Sequence, residues 1–179
     1  MNAFTLYTPE TAEGDAKAVL TGVKAKYGFV PNLFGYMAEA PYTIDAYAYL
    51  TDLLDKTDLS APQQQVALLA VSVYNQCDFC TVAHGAFAKM HKAKAQTITA
   101  ITEGATIEDA KDRALVDLVK AIVDQRGWLK DEQLSAFYAA GFSKRNVYDL
   151  ILIVTIKTLS NYANHLAKPE ANPELVAML

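Results

Sequence analysis

The chain has 179 residues, 52% hydrophobic and 20% charged, which supplies enough apolar side chain for a core and excludes disordered and collagen-like classes. Sixteen basic against twenty acidic residues leave a net charge of -4 with no basic run longer than Lys144-Arg145, so nucleic acid and anionic membrane are poor partners. The longest uninterrupted apolar run, Val66 to Val71, falls far short of the ~20 residues that cross a bilayer. The opening Met1-Asn2-Ala3-Phe4-Thr5-Leu6-Tyr7 lacks the basic and apolar regions of a leader peptide, so a single cytoplasmic domain over residues 1–179 is expected.

Every segment reads helical, with turn signals falling between segments. Thr8-Pro9-Glu10 resembles an N-cap followed by proline at the first helical position, and Gly28 ends that helix. Gly28-Phe29-Val30-Pro31-Asn32 is a loop. Pro41 opens a second helix to about Lys56, with Tyr42, Ala46, Tyr49 and Leu53 as its core stripe. Ser60-Ala61-Pro62-Gln63 is a capping box that starts a helix from Ala61 to Tyr74, whose buried stripe holds Val66, Leu69 and Val73. Asn75-Gln76 breaks the periodicity just before Cys77. Beyond it Cys80, His84, Phe87 and His91 share one helical face. Further helices run from Thr106-Ile107-Glu108-Asp109 to near Gly127, from Asp131 to Ala140 and from Ser143 to about Ala167. The last contains the β-branched run Ile151-Leu152-Ile153-Val154-Thr155-Ile156. It is read as helix because Val147, Ile151, Val154, Thr158 and Tyr162 keep one face and no partner strand is visible.

The chain has only two cysteines, Cys77 and Cys80, and they sit at C-x-x-C spacing with His84 four residues on. On a helix, residues three apart have Cα atoms about 5 Å apart, within reach of a disulfide. The pair can therefore cycle between dithiol and disulfide without unfolding the helix. His84, one turn beyond Cys80, can take the thiol proton or, as imidazolium, stabilise the thiolate. The helix N-terminus favours a thiolate at Cys77 by only ~0.3–1 kcal/mol. A specific base near Cys80 outweighs it, so Cys80 is read as the attacking sulfur and Cys77 as the resolving one.

Three bland readings compete. The thiols are a structural pair; Cys77, Cys80, His84 and His91 hold zinc; or the motif is thioredoxin-like. Four ligands on one helix cannot surround an ion tetrahedrally, and no βαβ context is present. No metal or cofactor is expected. His91 and His165 read as helix C-terminal cations, with a pocket or interface role open for His165. Trp128 reads as a loop anchor in the core.

With these residues in place, the sequence resembles the carboxymuconolactone decarboxylase superfamily, specifically its alkylhydroperoxidase AhpD-like branch. Cys77, Cys80 and His84 match its C-x-x-C-x-x-x-H. Gly28-Phe29-Val30-Pro31-Asn32 is similar to its G-x-x-P-N entry, Ala139-Ala140-Gly141-Phe142-Ser143 to its A-G-F-S turn, and Asn161-Tyr162-Ala163-Asn164-His165 to an ending of peroxidase-related members. The resemblance implies an all-α helical bundle with its motif core at about residues 60–92. It further implies a homo-oligomer, trimer or hexamer, and thiol-dependent reduction of a hydroperoxide, reset by an unidentified dithiol or thioredoxin-like reductant. Cys80 would attack, Cys77 resolve and His84 serve the proton relay. The family's glutamate falls at Gln65, whose amide cannot exchange the relay proton, so a weakened relay is expected. Lactone or decarboxylase chemistry, and a non-catalytic thiol sensor or scaffold, remain the alternative readings.

Overall fold

The computed structural model describes residues 4–179; the leader-peptide reading of Met1-Asn2-Ala3 falls outside them. Among the described residues there are ten α-helices and no strand. They are α1 (Gly14–Tyr27), α2 (Asn32–Met37), α3 (Tyr42–Asp52), α4 (Ala61–Tyr74), α5 (Asp78–Met90), α6 (Ala95–Glu103), α7 (Ala110–Asp124), α8 (Asp131–Ala139), α9 (Lys144–Ala167) and α10 (Pro173–Val176). A 3-10 turn at Leu53–Lys56 extends α3. The helices α2, α6 and α10 are not among the expected elements; α10 begins on Asn172-Pro173, an N-cap followed by proline at the first helical position.

The central element is α4. Val66 through Ser72 are buried without a break, so this helix is apolar on all sides and packs against α5, α6, α7 and α9. Its start follows the expected box, with Gln63 Oε1 accepting from the backbone N–H of Ser60 at 2.9 Å. One core cluster joins α4 to α7, α8 and α9 through Leu69, Leu115, Phe137 and Ile153. A second joins α1, α2 and α3 to α5 and encloses both cysteines.

Several sequence expectations need correction. The first helix starts at Gly14 rather than at Thr8. Thr8 and Thr11 close a local turn on themselves, with Thr8 N–H donating to Thr11 Oγ1 at 2.9 Å, and Gly14 then takes a left-handed φ of 52° that a continuous helix cannot contain. Tyr42, Ala46 and Tyr49 on α3 face outward rather than into the core, as do Ile151, Thr158 and Tyr162 on α9. The core side of α9 is Leu150, Ile153 and Ile156, followed by the buried polar residues Lys157, Ser160, Asn161 and Asn164. Trp128 is 85% exposed and anchors nothing.

Behind α9 the chain folds back over α5. Lys168 turns it with a left-handed φ of 50°. Asn172 then donates from Nδ2 to Val30 O at 3.2 Å and accepts at Oδ1 from Asn32 N–H at 2.8 Å, a bracket that pins the returning strap to the start of α2. Leu175 of α10 is thereby buried in the cysteine cluster.

Candidate active site

Cys77 belongs to two helices at once. At the end of α4, Cys77 N–H donates to Ser72 O and Gln76 N–H to Val73 O, both at 2.9 Å, with Gln76 in the left-handed region at φ 56°. That pair of bonds is a Schellman stop built without glycine. Cys77 is also the N-cap of α5, leaving Cys80 in the first turn and His84 in the second. Asn75 Nδ2 donates to Asn161 Oδ1 at 2.9 Å, which ties the turn to α9.

Both cysteines are reduced and buried, and they approach to 3.3 Å. Asn164 Nδ2 donates to Cys80 Sγ at 3.2 Å and to Cys77 Sγ at 3.6 Å, while the Cys80 thiol reaches Ser160 Oγ at 4.0 Å. Lys157 is fully buried, and its Nζ has no hydrogen-bond partner; Asn161 Nδ2 and Asn164 Oδ1 are buried and unpartnered beside it in the same helix. Lys157, Ser160, Asn161 and Asn164 stand at i, i+3, i+4 and i+7, so one face of α9 presents polar groups to the dithiol.

That face sets the acidity of the pair. The Cys80 thiol is pulled well below the ordinary thiol range, first by the Cys77 S–H donating to it, against burial, and then by the positive charge of Lys157 and the amide of Asn164. Cys77 is driven upward by the same shared hydrogen bond and by burial. The first proton thus leaves Cys80 and the remaining one stays on Cys77.

His84 is buried, and its Nδ1 lies 3.1 Å from Gln65 Oε1. The amide oxygen can only accept, so Nδ1 carries the hydrogen and Nε2 is left as the basic nitrogen. Burial, and secondarily the charge of Lys157, hold the imidazole well below its usual range, so it is neutral. No hydrogen bond joins His84 to either sulfur among the described residues. The positive charge beside Cys80 comes from α9, not from an imidazolium. Sequence reasoning gave no role to Lys157, Ser160, Asn161 or Asn164, placing the two asparagines only within a family-like ending, although the helical spacing of the four is visible in the chain.

Cys80, Gln65 and His84 open onto a cavity of about 460 Å³, walled by Tyr27, Phe34, Tyr47, Phe79 and Phe87 and closed on one side by Leu175 and Met178 of the returning strap. Tyr47 is half-buried there, and loss of hydration at its phenol, with the nearby Cys80 charge, pushes it far above its ordinary range, so it stays neutral. His91 lies on the same rim. A separate cavity of about 590 Å³ between α7 and α8, lined by Arg113, Asp117 and Phe137, holds neither thiol nor imidazole. Cys77 does not line the aromatic cavity; with His165 it lines another cleft.

No curated protein matches the chain. Residues 41–121 match the carboxymuconolactone decarboxylase family. Among solved structures, the chain is similar to the alkylhydroperoxidase AhpD core of a peroxidase-related protein from Ralstonia eutropha JMP134, at 24% identity and a TM-score of 0.83 over 98% of this chain and 94% of that one. It is also similar to a peroxidase-related protein from Silicibacter sp. TM1040, at 18% identity and a TM-score of 0.78 over 97% and 95% of the two chains. The debrominase Bmp8, solved with 2,3,4-tribromopyrrole, shares 18% identity and a TM-score of 0.77 over 99% and 97%. The matched segment contains Gln65, Cys77, Cys80 and His84 together, and the similar solved structures share the all-α fold of this chain.

Proposed function

We propose that the protein is a thiol-dependent hydroperoxide reductase in which Cys80 attacks and Cys77 resolves. The observation that carries this reading is the asymmetric dithiol. One sulfur is held as thiolate by Cys77, Lys157 and Asn164 and opens on an aromatic-walled cavity, while its partner keeps a proton 3.3 Å away. The Cys80 thiolate attacks the terminal oxygen of ROOH, the O–O bond breaks and ROH leaves, giving a sulfenic acid. Cys77 then attacks that sulfur and expels water, so two thiols become one disulfide as ROOH becomes ROH and H₂O. His84 Nε2 is the proton carrier in this scheme, oriented by Gln65 through Nδ1. An external dithiol resets the pair.

The assay is intact mass after stoichiometric peroxide. The expected result is loss of two hydrogens per chain, with a Cys77→Ser protein instead accumulating sulfenate on Cys80 that a dimedone reagent labels. Labelling retained in Cys80→Ser and lost in Cys77→Ser would reverse the roles; no peroxide-dependent thiol loss in the parent would refute the reading.

A second reading keeps the same thiols but takes a halogenated aromatic as the oxidant. The aromatic walls around Cys80 favour it, and a similar fold is that of a debrominase. Halide release driven by the reduced dithiol, without reaction towards peroxide, would select it. In either case we read the active species as a homo-oligomer. The outward aromatic stripes of the packed helices α3 and α9, with Tyr42 73% and Tyr49 67% exposed, are the surface a second copy would cover. No helix among the described residues is long and apolar enough to cross a membrane.

A further inference from the structure

The two cysteines face different openings. Cys80 lines the aromatic cavity and Cys77 does not. Cys77 lines a cleft of about 360 Å³ at the start of α5, formed with Gln76, Asp78, Asn164, His165 and Lys168, and Cys80 does not reach it. Phe79, between the cysteines in sequence, lines both and forms the partition. Polar side chains make up most of the cleft lining where the other cavity is walled by aromatic rings, and Asn164, which donates to both sulfurs, is one of them.

We propose that this cleft is the entry for the external thiol that resets the protein, and that the incoming thiolate attacks Cys77 Sγ rather than Cys80 Sγ. The proposal rests on the dithiol–disulfide reading above. Displacement at a disulfide sulfur is in line, so the nucleophile approaches from the side opposite the leaving sulfur. For attack at Cys77 that side is away from Cys80, and the cleft reaches Cys77 without reaching Cys80. The leaving sulfur is then Cys80, which Asn164 and Lys157 receive as thiolate, and the more acidic thiol leaves faster. Attack at Cys80 would require passage through the substrate cavity and would expel the poorer leaving group, Cys77. Lys168 at the cleft suits an anionic thiol, with Asp78 on the same lining opposing it in part.

The step balances. A thiolate RS⁻ forms a bond to Cys77 Sγ, the Cys77–Cys80 bond breaks and its electron pair stays on Cys80. A second RS⁻ attacks the R sulfur of the mixed disulfide, releasing Cys77, which takes up a proton, and RSSR. Two electrons pass from two thiols to the protein disulfide. The aromatic cavity is left free for the oxidant throughout.

The test starts from protein oxidised with diamide, so it does not depend on peroxide chemistry. Reduction is begun with glutathione, quenched in acid, and the adduct located by fragmentation between Cys77 and Cys80. Glutathione is expected on Cys77. His165→Trp, which fills the cleft, should slow reduction by glutathione severalfold while leaving the rate of peroxide oxidation of the reduced protein unchanged. Lys168→Glu should slow glutathione more than the uncharged 2-mercaptoethanol. An adduct on Cys80 in the parent protein, or parent rates of glutathione reduction in both variants, would overturn the proposal. A protein that diamide oxidises and peroxide does not would refute the hydroperoxidase reading and leave this one standing.

Discussion

Replacing Lys157 by methionine removes a positive charge from the dithiol and keeps nearly the same volume. Lys157 is 0% exposed and its Nζ has no hydrogen-bond partner, so the charge is not screened by water, and it acts on both Cys80 and His84. An opposite charge a few ångströms from an acid lowers its pKa by about 1–3 units, so Lys157→Met should raise that of Cys80 by a similar amount. The assay is iodoacetamide alkylation against pH in a Cys77→Ser background, where Cys80 is the sole sulfur of the pair and the serine hydroxyl still donates to it. Below the parent midpoint, where both proteins are mostly thiol, a two-unit rise cuts the thiolate roughly a hundredfold, but the more basic sulfur is intrinsically ~6–10 times more nucleophilic, leaving a net loss of about tenfold there. Above the new midpoint the variant should be the faster of the two, so the rate–pH curves cross. A uniform loss of rate with an unmoved midpoint would refute the electrostatic role and leave Lys157 as packing.

The same substitution should make the disulfide less oxidising by about 30 mV for each unit of pKa recovered, read from equilibrium with glutathione buffers; an unchanged potential would contradict it. Gln65→Glu places a carboxylate where an amide oxygen now sits 3.1 Å from His84 Nδ1. Peroxide turnover should then rise at least about tenfold, a part of the ~10²–10⁴ that general acid–base help supplies, and no gain in a folded variant would exclude Gln65 as the weakened relay residue. His84 has its pKa lowered by folding, so the unfolded chain takes up the proton first. The stability associated with neutral His84 is full above about pH 6.5 and is lost as pH falls below it, by up to ~1.4 kcal/mol per unit. Urea titrations at pH 7.5, 6 and 5 should show that slope in the parent and a flatter one in His84→Asn. Sedimentation at micromolar concentration should give an oligomer that Tyr42→Glu with Tyr49→Glu dissociates; a monomeric parent would refute the assignment of the α3 face.

The motif chemistry was legible because it is local. Ser60 and Gln63 mark the start of α4, and C-x-x-C with His84 marks one face of α5; neither needs knowledge of what lies across from it. The errors arose where a face had to be assigned a side. Tyr42, Ala46 and Tyr49 recur at helical spacing, but spacing says only that they lie together, and α3 turns its other side, with Ile44, to the core. On α9 the same ambiguity hid the site: polar residues at 157, 160, 161 and 164 look like a solvated face until the helix is docked on α5. Thr8-Pro9 carries the composition of a helix start, and the turn closed by Thr8 and Thr11 wins because Gly14 interrupts the backbone.

The bracket between Asn32 and Asn172 joins positions 140 apart in the chain, whereas the α4–α5 hairpin that presents both sulfurs is contiguous. Contacts between distant segments carry the largest chain-closure entropy and are made slowly, while neighbouring helices associate quickly. Refolding should therefore assemble the thiol pair before the strap carrying Leu175 and Met178 arrives to wall its cavity. During that interval the nucleophile exists without its filter. Oxidants too large for the finished cavity can reach Cys80 only then, which makes the order of assembly, and not the final shape alone, a determinant of which molecules this sulfur meets.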